Sequence, residues 1–372
     1  MFENHAIWLS TKRAELKLGP APYTRPAPNE IVVQNRAVAI NPLDWLLQSV
    51  GDIIYPWLRY PFILGSDVAG EVVEVGTGVT RFKIGDRILG HAVGSDKDRN
   101  SAAEGGFQRY TVLLAHMTAP IPKAMAFEDA VVLPLGLSTA ASALFQRDML
   151  ALQHPGLGKK MDGKMVLVWG GSTSVGSNAI QLAAAAGYEV VATGAPQNFD
   201  YLRKLGATKV FDYRSVTVIN DIVEAIAGND LAGALAIGAG AAKACVNIAS
   251  QCRGKRFVVL ATPQISMDRI AEKRGNLVRF LPAMIEFIAA NVGVMLTARL
   301  LKVKAKFVFG TSLKENEVGT LIYEQFLPSA LEEGRYLAAP GPLVVGQGLE
   351  SIDSALALHR AGVSARKVVV TL

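Results

Sequence analysis

The feature that most constrains the fold is one short junction. The apolar run Met165 to Trp169 is followed by Gly170-Gly171-Ser172-Thr173-Ser174-Val175-Gly176 and then by an alanine-rich stretch to Ala186. The run closed by two glycines reads as a buried strand. Ser174 to Ala186 reads as the helix it feeds, with Gly187 as C-cap. Such a turn brings backbone and free helix N-terminal amides to one point, where a pyrophosphate is bound. The usual dinucleotide fingerprint has a glycine at position 173, but this chain has Thr173. The extra Cβ predicts a slightly displaced cofactor, with the hydroxyls of Ser172, Thr173 and Ser174 as candidate replacement partners. The plain alternative is a glycine-rich turn in a sheet that binds nothing.

The residues beyond the junction favour the first reading. Strands are expected at Tyr188 to Thr193, Lys209 to Phe211, Ala232 to Ile237 and Arg256 to Leu260, with a last one at Lys306 to Phe309. Helices are expected between them at Phe199 to Leu205 (Asn198 as N-cap), Val216 to Ile226 and Ala241 to Ser250. This alternation predicts an α/β fold, a doubly wound parallel sheet covered on both faces. An NAD site wants Asp or Glu near the end of the second strand, to accept from the ribose 2′-hydroxyl. The chain there reads Ala192-Thr193-Gly194-Ala195-Pro196-Gln197-Asn198, with no carboxylate before Asp200. NADPH is therefore expected. Asn198, Tyr213 and Arg214 come within reach of its 2′-phosphate if the third strand lies alongside; Tyr213 and Arg214 read equally well as surface residues. Ala195, Leu260 and Ala261 complete the expected cofactor lining.

The flanks have another texture. Short β-branched runs such as Ile31 to Val38 and Val68 to Val75, bounded by Gly, Pro and Asp, make the first third β-rich. The tail from about 311 reads as a long helix, a strand at Leu343 to Val345, a helix at Leu349 to Ala361 and a strand at Val368 to Thr371. It matches the first third, so the parallel-sheet unit looks inserted between two parts of another domain. Two cysteines, Cys245 and Cys252, exclude a disulfide framework and fit a reducing compartment. Met1 to Ser10 carries no secretory pattern, so a cytoplasmic protein is expected. The net charge of +6 is spread without a basic tract, which argues against nucleic acid. The apolar segment from Phe280 to Leu301 is broken by Glu286, Asn291 and Arg299, so it is not expected to span a membrane. It reads as a pocket wall, a subunit interface or core, in a monomer or homodimer.

At this level the chain resembles the medium-chain dehydrogenase/reductase superfamily over nearly its whole length. The matching landmarks are Asn41-Pro42-Leu43-Asp44-Trp45, Gly65-Ser66-Asp67-Val68-Ala69-Gly70, Gly85-Asp86-Arg87, Gly105-Gly106-Phe107, Leu133 to Ala140, the glycine turn and Gly206-Ala207. Trp169-Gly170-Gly171-Ser172-Thr173 and Asn198-Phe199-Asp200 are similar to the fungal branch of CipB-like dehydrogenases and trans-acting enoyl reductases of polyketide synthesis. The resemblance implies a GroES-like β-rich catalytic domain (1–140 and 311–372) and a Rossmann NADPH-binding domain (141–310). It also implies that Pro42 to Trp45, a loop at Leu135 to Thr139, and Val363-Ser364 face cofactor or substrate, and that a polyketide synthase or carrier protein is a candidate partner.

Zinc-using members carry Cys and His near the first two landmarks; here Asn41 and Ser66 stand there. Zinc is therefore not expected, and hydride delivery to an activated double bond is the favoured chemistry. The alternatives are a quinone reductase and an NADPH-binding protein with a structural or regulatory role. Tyr55 is a candidate proton donor or a packing residue. Asp44 either orients Trp45 and the cofactor or caps a helix. Thr139 either touches the nicotinamide or substrate or is itself a helix N-cap. Trp45 and Trp57 read as an aromatic wall or as core.

Overall fold

The computed structural model describes residues 3–156, 161, 163–265, 270 and 277–372. The chain separates into two compact units, residues 139–310 and residues 1–138 with 311–372.

In the first of these, six strands form one parallel sheet. Their order is Lys209–Asp212, Glu189–Gly194, Lys164–Trp169, Asp230–Ala236, Phe257–Leu260 and Lys304–Phe307. In chain order that is 3-2-1-4-5-6, so the winding reverses between Lys164–Trp169 and Asp230–Ala236, where sheets of this kind bind ligands. The strands read as continuous apolar runs because helices cover both faces; Val166, Leu167 and Val168 are fully buried. Helices Val218–Ile226 and Ala241–Gln251 close one face through Ile222, Ile226, Cys245 and Ile248. The last strand begins two residues earlier than the sequence suggests. Its parallel register against Phe257–Leu260 takes in Lys304 and leaves Phe309 outside and exposed.

Helix Leu277–Leu300 corrects the core reading of the 280–301 segment. Only a narrow back face, Val294 and Ala298, enters the unit's core. Most of its apolar side chains are exposed.

The other unit is built on a seven-stranded sheet whose long member, Glu30–Ala39, pairs with Asp67–Val75, Tyr110–Leu114 and Lys367–Thr371. A three-stranded sheet (Leu16–Ala21, Asn4–Leu9, Phe62–Ile63) joins helices Pro42–Ile54 and Ile352–Ala361 around a second core.

Two expectations fail here. The segment Leu135 to Thr139 is not a loop but the start of helix Pro134–Phe145. Pro134 has no N–H to leave unpaired in the first turn, and the Leu135 amide donates to Asp67 Oδ1 at 2.6 Å. Thr139 therefore lies inside the helix and is not its N-cap. The long helix expected after 311 is instead a broken series: a 3₁₀ turn at Gly310–Glu315, a short helix Glu317–Thr320, a π-turn Leu321–Phe326 and helix Leu327–Glu332. Pro328 cannot donate to the carbonyl of residue 324, so the helix widens just ahead of it.

Candidate functional site

In the parallel-sheet unit, the site begins at the 170–176 turn. Gly170 has φ +86°, and a Cβ there would meet the Ile237 carbonyl oxygen at 2.5 Å. A Cβ at Gly176 would meet the Gly170 oxygen at 2.2 Å. Both positions therefore demand glycine: the first for the turn, the second for the close packing of helix on strand. Thr173 is the N-cap of helix Ser174–Ala185. Its hydroxyl accepts from the Gly176 amide at 3.0 Å and donates to the Gly170 oxygen at 2.8 Å. That hydroxyl is thereby engaged, which leaves the hydroxyls of Ser172 and Ser174 and the first-turn amides of Ser174 and Val175 as the groups that could hold a phosphate.

The end of the second strand is laid beside the third by parallel pairing, Gly194 against Asp212. Ala195, the next residue, is buried, and Asn198 stands at the N-cap position of helix Phe199–Lys204 without a side-chain cap bond. Tyr213 and Arg214 follow Asp212 directly. The Arg214 Nε donates to the Tyr213 hydroxyl at 3.2 Å, and its guanidinium lies 5.2 Å from the ring centre. Asp212 Oδ1 accepts from the Arg214 amide at 3.0 Å. Asp200 faces away: its side chain is 99% exposed and pairs with Arg203. Leu260 ends the fifth strand and Ala261 follows it, its amide donating to the Ala236 carbonyl.

In the β-rich unit, residues far apart in sequence form a buried polar cluster. Asp67, fully buried, accepts from the Leu135 amide on one oxygen. On the other it accepts from Asn41 Nδ2 and Lys367 Nζ, both at 2.8 Å. Lys367 Nζ also donates to Asn41 Oδ1 at 2.5 Å. Amide, carboxylate and ammonium thus satisfy one another where water is excluded, the condition for holding a buried charge pair. Asp44 lies beside them. Its Oδ2 accepts from the Asn41 amide at 2.7 Å, the helix-capping role of the two expected. Burial raises its carboxyl to about 7, with the Asn41 bond opposing and Asp67 adding to the rise.

Across the sheet from Asp67 is His91. Its Nδ1 is 2.9 Å from Ser138 Oγ, which is 2.7 Å from the Tyr323 hydroxyl, which donates to the Pro134 carbonyl at 3.0 Å. The carbonyl can only accept, which fixes every proton in the row. Tyr323 donates to Pro134, Ser138 donates to Tyr323, and His91 donates from Nδ1. Burial lowers the imidazole to about 4, so it is neutral at pH 7 with a bare Nε2 that has no hydrogen-bond partner among the described residues.

The remaining expected residues are not members of these hydrogen-bonded clusters. Tyr55 is the C-cap of helix Pro42–Ile54; its ring lies 4.8 Å from that of Trp57, and burial, with Asp96 adding, raises its hydroxyl to about 12. Trp45 is buried in the core, and its Nε1 donates to His359 Nδ1 at 3.3 Å. Pro42 and Ser364 are exposed, and Val363 is half-buried against the same core. Thr139 is buried. Among the described residues, no three His, Cys, Asp or Glu side chains converge as a metal-holding group. Sequence reasoning missed Lys367, His91 and Tyr323, and took Ser138 only as part of the Leu135 to Thr139 segment. The one signal in the sequence was a lysine opening an otherwise apolar terminal strand.

Known proteins are similar to this chain over nearly its whole length. Residues 27–123 match the alcohol dehydrogenase GroES-like domain. A dehydrogenase of Monascus ruber, pigH, is 50% identical over 371 residues, covering 99% of each chain. A trans-enoyl reductase of Aspergillus japonicus, himH, is 36% identical over 99% of this chain and 97% of its own. The crystal structure of the CurK enoyl reductase superposes with a TM-score of 0.70 at 20% identity, covering 99% of both chains, a likeness of fold.

Proposed function

Because the chain belongs to the medium-chain dehydrogenase/reductase superfamily of oxidoreductases, we propose that it is an NADPH-dependent, zinc-independent reductase of activated carbon–carbon double bonds, of the enone or enoyl thioester kind. The observation that carries this reading is the Lys367 ammonium held between Asn41 and Asp67. A catalytic zinc needs three Cys, His or carboxylate ligands and one open position. Here Asn41 is an amide already bonded on both sides, Ser66 is a hydroxyl, and both oxygens of Asp67 are engaged. A divalent cation would have to displace the ammonium that neutralises Asp67, so these donors do not suit zinc. Without a Lewis acid to polarise a simple carbonyl, the acceptor that fits best is one whose conjugation spreads the charge left by hydride addition.

The 170–176 turn suits a pyrophosphate, and the Tyr213–Arg214 pair beside Ala195 suits a 2′-phosphate. A bound nicotinamide supplies the hydride. The chain's own residues bind, orient and donate. Tyr55, kept protonated by burial, is the candidate hydrogen-bond donor to a developing enolate oxygen, with Thr139 as a second hydroxyl. Pro42, Val363 and Ser364 are proposed as cofactor or substrate contacts, with Trp45 and Asp44 supporting them from the core. A relative named as a trans-enoyl reductase favours a thioester presented by a separate synthase or carrier protein.

The test is oxidation of NADPH and of NADH against a panel of enones, enoyl thioesters and quinones. The expected result is turnover of enones or enoyl thioesters with NADPH preferred. Arg214→Ala should raise KM for NADPH by about tenfold or more, from loss of a charge-assisted bond, and leave NADH unaffected. Turnover of quinones alone, or NADPH binding with no turnover on any acceptor, would overturn the proposal.

A further inference from the structure

We infer that a cavity in the β-rich unit, at the point where its large sheet forks, binds a free α-amino acid with an apolar side chain. The site shares no residue with the proposed reaction. Strand Glu30–Ala39 keeps one partner, Asp67–Val75, along nearly its whole length. Its other edge is divided. Glu30 to Gln34 pair with Tyr110–Leu114, whereas Ala37 to Ala39 pair with Lys367–Thr371. Asn35 and Arg36 lie between the two branches, where the register against Asp67–Val75 also shifts, as at a β-bulge. There the Asn35 amide donates to the Arg109 carbonyl at 2.9 Å, and the Leu372 amide to the Arg36 carbonyl at 2.8 Å. The fork opens a cavity of about 360 Å³, at the low end for small-molecule sites.

Its chemistry is set by groups that the fold leaves unspent. Arg109 lines the cavity from one branch, and Glu350 lines it from the 3₁₀ turn Leu349–Ser351. Among the described residues, neither side chain has an ion pair or hydrogen bond, with the other or with anything else. The Glu350 carboxylate rests against Gly348, where a Cβ would meet its Oε1 at 2.5 Å. His5 and Gln34 line the same cavity. His5 Nδ1 is shut off from solvent and has no partner among the described residues. The half-buried Gln34 amide has none there either. A polar atom buried without a partner costs free energy that a bound polar group recovers. Leu18 and Leu349 add an apolar share of the wall.

These groups select the charge of the guest. A plain carboxylate would suit Arg109 but bring like charge to Glu350, and a plain amine would do the reverse. Arg36 does not tip this balance, because its guanidinium is already paired with Glu71 at 3.1 Å. A zwitterion satisfies both walls at once, its carboxylate on Arg109 and its ammonium on Glu350. His5 Nδ1 and the Gln34 amide then find partners in the guest's polar end, and Leu18 and Leu349 cover its side chain. The end of a peptide carries only one of the two charges, which favours a free amino acid over a chain terminus.

The experiment is isothermal titration of the full chain with L-phenylalanine, with 3-phenylpropanoate, which lacks the ammonium, and with 2-phenylethylamine, which lacks the carboxylate. Phenylalanine should bind with a dissociation constant of about 1 mM or tighter, and each single-charge analogue at least about tenfold more weakly. Arg109→Gln and Glu350→Gln should each weaken phenylalanine at least about tenfold, with far-ultraviolet circular dichroism and the rate of NADPH oxidation unchanged. Because binding is read as heat, the inference stands or falls apart from the proposed reaction. No saturable binding up to the solubility of phenylalanine, equal binding of either analogue, or full affinity in both variants would each overturn it.

Discussion

At the scale of single residues, the most consequential pair is Asp67 and Lys367, separated by three hundred positions and joined at 2.8 Å without access to water. Removing one partner strands the other's charge, so Asp67→Asn or Lys367→Met should each destabilise the protein by about 3–5 kcal/mol. The double variant should cost clearly less than the two single losses together, because no uncompensated charge is left. Urea unfolding of the four proteins measures this; additive losses would mean that the two groups act separately. Asp67 was visible in the sequence as part of Gly65-Ser66-Asp67, but its role was not. Its partners come from Asn41 just ahead of the first helix, from the amide of Leu135 and from the last strand, and only the folded sheet brings them together. His91 is similar. As a lone histidine without ligand spacing it carries no message in sequence, and its tautomer follows only from the row through Ser138 and Tyr323 to the Pro134 carbonyl.

At the scale of elements, the strands and helices of the parallel sheet were legible because each is a contiguous run with its own turn signals. The exceptions have local causes that cross sequence windows. Leu135 to Thr139 is helical because Asp67, from another strand, takes up a first-turn amide. The tail after 311 breaks because Pro328 interrupts the hydrogen-bond ladder. The 170–176 turn shows both sides: its glycines could be read directly, whereas the engagement of the Thr173 hydroxyl in capping could not. Thr173→Ala should cost about 1 kcal/mol of stability, and Thr173→Gly only a few tenths. Thermal melts measure both losses, and melting temperatures unchanged in both variants would show that the cap bond contributes nothing. Thr173→Gly should also bind NADPH more tightly, since it removes the Cβ at the point of closest approach.

At the scale of the whole molecule, the insertion of a 3-2-1-4-5-6 parallel sheet between two halves of a β-rich unit was foreshadowed by texture and by the superfamily landmarks. The outward apolar face of helix Leu277–Leu300 was not, because a long apolar run reads alike as core or interface until its neighbours are known. The proposed chemistry asks for a turn that serves a nicotinamide cofactor and for an ammonium where a metal would otherwise be held. It is tested most directly by the rate of enone- or enoyl-thioester-dependent NADPH oxidation before and after exhaustive dialysis against a zinc chelator. The predicted result is an unchanged rate; loss of activity on dialysis, restored by added zinc, would contradict the claim.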